Sequence, residues 1–186
     1  MRLYLVRHAD VTIRPDLSGA LWHLSAEGRR QAEELGTQPY WPGVRGLHTS
    51  PEPKAAGTAQ RIAAPNGLPI RVEPDLREVE GRPFVEREVY LDQARRYLGG
   101  EDIEDWEPRD RALSRVRGCI ASIIERHQGL EVGIVSHGLA LTLYLSDLLG
   151  LDGAAAYEVW SSIRMPDVAI VDPEARKPER AFGGSA

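Results

Sequence analysis

The stretch LYLVRHA (Leu3–Ala9) decides the fold expected for this chain of 186 residues. Its first four residues form an apolar run long enough for one buried strand, and polar side chains follow at once. Arg7 and His8 would lie at the carboxyl end of that strand, which is where open α/β sheets bind ligands. Arg7 offers a planar fork of donors for phosphate oxygens, and His8 offers a ring nitrogen that can act as a nucleophile near neutral pH. The stretch therefore predicts a first strand that delivers two reactive side chains to one edge of a sheet.

Apolar runs alternate with helical patterns along the rest of the chain. This alternation predicts an α/β protein, a three-layer α/β/α sandwich with a mainly parallel central sheet and a site at the C-terminal ends of the strands. Ser25 is suited to cap the first helix. The predicted strands are Leu3–Val6, Val44–Thr49, Ile70–Glu73, Val132–Ser136 and Val168–Val171, and the predicted helices are Ser25–Leu35, Pro53–Ala64, Arg109–His127 and Leu139–Leu149.

The pattern predicts a single domain over residues 1–172. Proline and glycine interrupt it over residues 79–106, where Phe84–Leu98 could form one helix, and we interpret this stretch as an insert over the site. The polar segment 173–186 contains two prolines and a pair of glycines, and it is predicted to be a mobile tail.

Composition excludes several classes of function. Hydrophobic residues make up 42% of the chain and charged residues 27%, as in ordinary globular proteins. The net charge of -5 argues against a general binder of nucleic acid or of anionic membranes, and a few clustered cations instead suit a small anionic ligand. Cys119 is the only cysteine, so no internal disulfide is expected. No signal peptide precedes the first strand, so a cytoplasmic location is expected, whereas the oligomeric state is left open.

Polar motifs follow three further apolar runs. Ser50–Ala59 comes after the second run, Leu76–Glu78 after the third, and Ser136–Gly138 after the fourth. Together with Arg7–Ala9, and in this order, they make the chain resemble the histidine phosphatase superfamily, also called the phosphoglycerate mutase-like family. The resemblance extends from about Leu3 to Leu149.

The resemblance implies a role for each motif. His8 would be the histidine that becomes phosphorylated, Glu78 would be the acid of the Leu-x-Glu motif, and His137 would be the second histidine. Three positions depart from the family motifs: Ala9 stands for a glycine, Lys54 for an arginine and Gly57 for a glutamine.

The chemistry of phosphate monoesters requires these residue types. Arg7, Lys54 and His137 could donate to the non-bridging oxygens of a doubly charged phosphate. Glu78 would give a proton to the leaving alkoxide, although Glu80 is an alternative acid two residues away; the register of the motif favours Glu78. Protein cations can neutralise the charge that Mg²⁺ handles elsewhere, so neither a metal nor a cofactor is expected.

The function that follows is a metal-independent phosphatase that hydrolyses a small phosphate monoester through a phosphohistidine on His8. A phosphoglycerate mutase is the alternative within the same class. Lys54 and Gly57 motivate a third hypothesis, a catalytically weak phosphate-binding or regulatory protein. We expect the replacement of Lys54 with alanine to leave the fold intact, because a side chain in the first turn of a helix contributes little to the core.

The insert is the expected place for substrate specificity. One of its cationic or phenolic side chains could hold the part of the substrate that does not react, although surface ion pairs with Glu86, Glu88 and Asp92 are an alternative for the arginines. The candidates are Arg82, Arg87, Arg95, Arg96 and Tyr97.

Overall fold

A six-stranded sheet forms the centre of the computed structural model, which describes residues 1–184. The strands are β1 (Leu3–Arg7), β2 (Val44–Thr49), β3 (Ile70–Val72), β4 (Glu131–Ser136), β5 (Asp167–Asp172) and β6 (Lys177–Arg180). Their order across the sheet is β3-β2-β4-β1-β5-β6. The first four strands are parallel, β5 is antiparallel to β1, and β6 is antiparallel to β5. The prediction of a mainly parallel sheet is confirmed.

Helices cover both faces of this sheet. They are α1 (Ala26–Gly36), α2 (Pro53–Asn66), α3 (Arg87–Leu98), α4 (Arg109–His127), α5 (Gly138–Leu149) and α6 (Gly153–Ser162). Successive side chains of β1 alternate between two cores. Leu3 and Leu5 pack with α4 and α5, whereas Tyr4 and Val6 pack with α1 and α2. The predicted α/β/α sandwich is therefore confirmed.

A third apolar cluster lies at one end of α5. It joins Leu139 and Leu143 of α5 to Tyr97 of α3 and Trp160 of α6. Because α5 begins directly after β4, this packing holds α3, and the loop that precedes α3, beside the carboxyl ends of the parallel strands.

Two elements were not predicted. The prediction of a mobile tail from Pro173 onward is wrong for β6, which pairs with β5, and Ser185 and Ala186 lie outside the described residues. The Lys-Pro-Glu-Arg sequence of β6 is polar and contains a proline because the strand lies at the sheet edge, where one side of the backbone needs no partner. Helix α6 begins after Asp152, whose Oδ1 accepts a hydrogen bond from the backbone of Ala155 at 2.9 Å.

No helix within residues 1–184 combines the length and the apolar character needed to cross a membrane.

Candidate active site

His8 follows β1 and is 6% exposed. Its Nδ1 lies 2.8 Å from the backbone oxygen of Ala9, and its own backbone N–H donates to the oxygen of Ser136 at the end of β4. A carbonyl oxygen only accepts, so the neutral ring carries its hydrogen on Nδ1, and Nε2 keeps a free lone pair. Burial, followed by the positive charge of Lys54, lowers the pKa of His8 to about 3. The ring of His8 is therefore neutral, and its tautomer is fixed with the hydrogen on Nδ1.

This lowered pKa makes stability depend on pH. Unfolded His8 takes up a proton below about pH 6.5, whereas folded His8 stays neutral down to about pH 3, so acid favours the unfolded chain. Between pH 4 and 6, His8 should contribute a slope of about 1.4 kcal/mol per pH unit to the free energy of unfolding. The free energy of unfolding, measured with urea at several pH values, should rise less steeply with pH in His8→Gln than in the native protein. Identical slopes would contradict the assigned burial of a neutral ring.

His137 lies between the end of β4 and the first residue of α5. Its side chain is fully buried, its ring centroid lies 5.2 Å from that of His8, and its Nε2 lies 2.8 Å from the hydroxyl oxygen of Ser50. Burial lowers its pKa well below the usual value, so the ring is neutral. Its Nδ1 is buried and has no hydrogen-bond partner within residues 1–184. The two histidines named by the motifs therefore lie in edge-to-face contact.

Arg7 is the last residue of β1 and lines a cavity beside His8. Its Nη1 donates to the backbone oxygen of Ile163 at 2.7 Å, and its buried Nε has no partner among the described residues. One end of the guanidinium is therefore anchored, while the rest retains donors for an anion.

Glu78 is the carboxylate that the fold brings to this cavity. It accepts hydrogen bonds from the backbone N–H of Val79, Leu139 and Ala140 at 2.9 to 3.2 Å, the last two in the first turn of α5. The alternative acid, Glu80, is paired with Arg77 at 2.6 Å and is 52% exposed in its side chain. Of these two, only Glu78 lines the cavity.

Lys54 lies in the first turn of α2, and its side chain is only 6% exposed. Its Nζ donates to the backbone oxygen of Gly19 at 2.7 Å and forms an ion pair with Glu52. Burial lowers the pKa of Lys54, and the charge of Glu52 opposes that shift. The expectation that Lys54 contributes little to the fold is wrong, because its removal would leave a buried carboxylate without its partner.

Glu52 is the residue that sequence reasoning missed. It precedes α2, it is 8% exposed, and its second oxygen accepts a hydrogen bond from the backbone N–H of Glu78 at 2.7 Å. That same oxygen lies 3.5 Å from Nε2 of His137. The sequence did contain a signal for Glu52, because an acidic side chain just before a helix offsets the unfavourable interaction between a first-turn lysine and the helix dipole. Glu52 connects Lys54, Glu78 and His137.

Among the candidate residues of the insert, Arg82 lines the cavity and lies beside Glu78. Its Nε donates to the oxygen of Val79, its Nη1 donates to the hydroxyl of Tyr90, and its Nη2 lies 4.0 Å from Glu78. The cavity that it lines with Arg7, His8, Lys54 and Glu78 has a volume of about 420 Å³.

The other insert candidates differ in position. Arg87 also lines the cavity. Arg95 and Arg96 form ion pairs with Asp92 on the exposed side of α3, and Tyr97 is buried with its hydroxyl donating to the oxygen of Glu107. These last three therefore lie away from the site.

Within residues 1–184, no group of three or more histidine, cysteine, aspartate or glutamate side chains could hold a metal ion. The cavity beside His8 is instead lined by the cationic side chains of Arg7, Lys54 and Arg82, which suit a phosphate oxygen better than a cation.

The sequence profile of the histidine phosphatase superfamily (branch 1) matches residues 3–178. The chain therefore belongs to this family of phosphatases and mutases, and it is an enzyme. A protein of Salmonella arizonae described as a probable phosphoglycerate mutase GpmB is 30% identical over 163 residues, covering 81% of this chain and 76% of the relative. The corresponding protein of Yersinia enterocolitica is 31% identical with the same coverage.

Solved structures share the fold over nearly the whole chain. A protein described as mycobacterial hydrolase 1 has a TM-score of 0.81 at 19% identity and covers 100% of this chain and 99% of its own. YhfR of Bacillus stearothermophilus has a TM-score of 0.79 at 22% identity, with coverage of 100% and 98%. A mycobacterial glucosyl-3-phosphoglycerate phosphatase has a TM-score of 0.76 at 20% identity, with coverage of 99% of each chain.

Proposed function

We propose that this enzyme is a metal-independent phosphatase that hydrolyses a small phosphate monoester through a phosphohistidine on His8. The observation that carries the proposal is the state of His8. Its ring is neutral, its tautomer is fixed by Ala9, and it lines a cavity that also contains the cations of Arg7, Lys54 and Arg82. A neutral nucleophile beside cations is what attack on a phosphate dianion requires.

The reaction has two steps. In the first, the lone pair of His8 Nε2 forms a bond to phosphorus as the ester oxygen departs, and protonated Glu78 gives its proton to that oxygen. In the second, a water oxygen bonds to phosphorus, the N–P bond breaks with its electrons returning to His8, and Glu78 takes a proton from the water. One water is consumed, and one alcohol and one inorganic phosphate are released.

The cations have a separate role in this proposal. Arg7 would donate to the non-bridging oxygens, and the unpartnered ring nitrogen of His137 places a further polar group beside His8. Lys54 would contribute its charge from the wall of the cavity, shared with Glu52. Glu78 is held by backbone donors of α5, so its carboxyl group is fixed next to the leaving oxygen.

A phosphoglycerate mutase is the second candidate, because curated relatives at about 30% identity are described as probable mutases. A panel of phosphorylated metabolites, assayed for released phosphate with excess chelator present, separates the possibilities. A phosphatase releases phosphate from several esters, a mutase moves it between hydroxyls of phosphoglycerate, and a binding protein does neither. Activity that is lost with chelator and restored by a divalent ion would contradict the metal-independent mechanism.

Arg82 gives a prediction within the insert. Replacing it with alanine removes a cation with one nitrogen free of hydrogen bonds among the described residues, so kcat/KM should fall by about 10- to 100-fold. Arg95→Ala is the matched control, because Arg95 is paired with Asp92 on an exposed helix face and should leave kcat/KM within twofold. Steady-state kinetics on one ester, with circular dichroism to confirm folding, provide the measurement. Equal kinetics for the two variants would remove Arg82 from the substrate site.

A further inference from the structure

The cavity beside His8 is lined by two chemically different sets of side chains. One set is the cationic and acidic side chains described above, among which the phosphate would bind. Most of the remaining wall is hydrocarbon or aromatic surface, contributed by two loops that reach over the strand ends and by one residue before β5. These wall residues are Val11, Ile13, Trp22, Phe84, Val85 and Met165.

Trp22 and Phe84 form the aromatic part of this wall. They come from different loops, their ring centroids are 6.3 Å apart, and their planes meet at 63° in an edge-to-face contact. The indole N–H of Trp22 already donates to the backbone oxygen of Arg14 at 2.9 Å. The ring therefore presents carbon surface to the cavity and has no remaining donor for a sugar hydroxyl or a carboxylate.

Exposure of these side chains is unusual for their type. Phe84 is 49% exposed and Ile13 is 57% exposed, although both line the same cavity as the catalytic histidine. Large apolar side chains gathered at the mouth of a pocket mark a surface that is covered when a ligand binds. Glu86 and Arg87 also line the cavity, and both are exposed to solvent.

We propose that the substrate is a phosphate monoester whose alcohol carries an aromatic or bulky apolar group, which packs against Trp22 and Phe84 while the phosphate meets His8. This inference rests on the proposed phosphatase function. A hydroxyl or carboxylate group placed against Trp22 or Phe84 would lose hydrogen bonds to water without replacement, and sites discriminate strongly against such a loss. The volume of about 420 Å³ lies within the range of about 300–1,000 Å³ typical of small-ligand sites.

The test compares two primary alkyl esters, 3-phenylpropyl phosphate and glycerol 1-phosphate. Both release a primary alkoxide, so the comparison reports the pocket rather than the leaving group. Because each buried methylene is worth about fourfold in affinity, kcat/KM should be about 10²-fold higher for the phenylpropyl ester. Trp22→Ala and Phe84→Ala should each reduce that ratio at least about tenfold, mainly through KM for the phenylpropyl ester.

Leu130→Ala is the matched control, because Leu130 is also a large exposed apolar side chain but does not line the cavity, and it should leave the ratio unchanged. A ratio near one in the native protein, or a ratio unaffected by both cavity variants, would overturn the inference.

A binding measurement separates this inference from the proposed function. If neither these two esters nor any ester of the metabolite panel releases phosphate, the phosphatase proposal fails, and calorimetry with 3-phenylpropylphosphonate and 2,3-dihydroxypropylphosphonate still tests the pocket. Tighter binding of the phenylpropyl compound, weakened in Phe84→Ala, would support the apolar subsite. Equal binding of the two phosphonates would overturn it.

Discussion

Replacing His8 with alanine should lower phosphate release from every accepted ester by about 10⁴-fold or more, because the reaction then has no group to hold the phosphoryl between its two steps. The size of the loss depends on the groups that remain in the cavity of the variant. Arg7 and Lys54 would still bind phosphate, but water would have to attack a dianion directly. Steady-state phosphate release provides the measurement. His127→Ala is a suitable control, because that ring contacts His48 outside the cavity.

Trapping the covalent intermediate tests the same assignment independently of rate. Rapid quenching in base with labelled substrate should leave the label on His8, at Nε2, because Nδ1 is occupied by the oxygen of Ala9. The label should be lost in acid, as expected of an N–P bond, and should be absent from His8→Ala. Label on His137, or an active His8→Ala protein, would show that the nucleophile is a different residue.

The position of His8 could be predicted from sequence for a physical reason. A buried strand needs an uninterrupted apolar run, and an abrupt change to polar residues marks the point where the strand leaves the core. The same change follows β2 and β4, so the sequence also indicates that Ser50 and His137 lie at the ends of buried strands. Parallel pairing of these strands with one another or with β1 then brings the motifs together.

Glu52 and β6 show where such reasoning fails. A glutamate between two prolines has the sequence character of a solvated surface charge, whereas in the fold Glu52 is buried in contact with Lys54, the backbone of Glu78 and His137. The Lys-Pro-Glu-Arg sequence of β6 likewise has no apolar alternation, because an edge strand can be stabilised by backbone pairing to β5 without a buried face. Both features depend on contacts between distant segments rather than on local pattern.

The Glu52–Lys54 pair raises a question about charge in the site. An isolated lysine would add one positive charge to the phosphate pocket, whereas here a buried carboxylate beside it cancels that charge. Glu52 also accepts the backbone N–H of Glu78, so it helps to position the residue that we propose as the acid. We interpret the pair as a structural support for Glu78 that has reduced the phosphate-binding strength of Lys54.

Removing either charge should therefore have opposite effects. Lys54→Met removes the cation and leaves Glu52 buried, unpaired and close to the phosphate, so kcat should fall by about 10²–10³-fold and the free energy of unfolding by about 3–5 kcal/mol. Glu52→Gln keeps an oxygen for the backbone N–H of Glu78 but removes the opposing charge. Lys54 then acts with its full charge, and the inhibition constant for inorganic phosphate should fall several-fold.

The double variant decides whether the two residues act as a pair. If the losses of stability and kcat in Lys54→Met come partly from the unpaired Glu52, then adding Glu52→Gln should restore part of both. The coupling free energy in a double-mutant cycle should be about 1–3 kcal/mol. Urea unfolding and phosphate-release kinetics on the four proteins measure it. Arg30→Met with Glu27→Gln is the control cycle, because that pair is exposed on α1 and should show little coupling. If the Glu52 and Lys54 substitutions were simply additive, the carboxylate would have no part in setting the charge at Lys54, and the lysine would have to be treated as an independent phosphate donor.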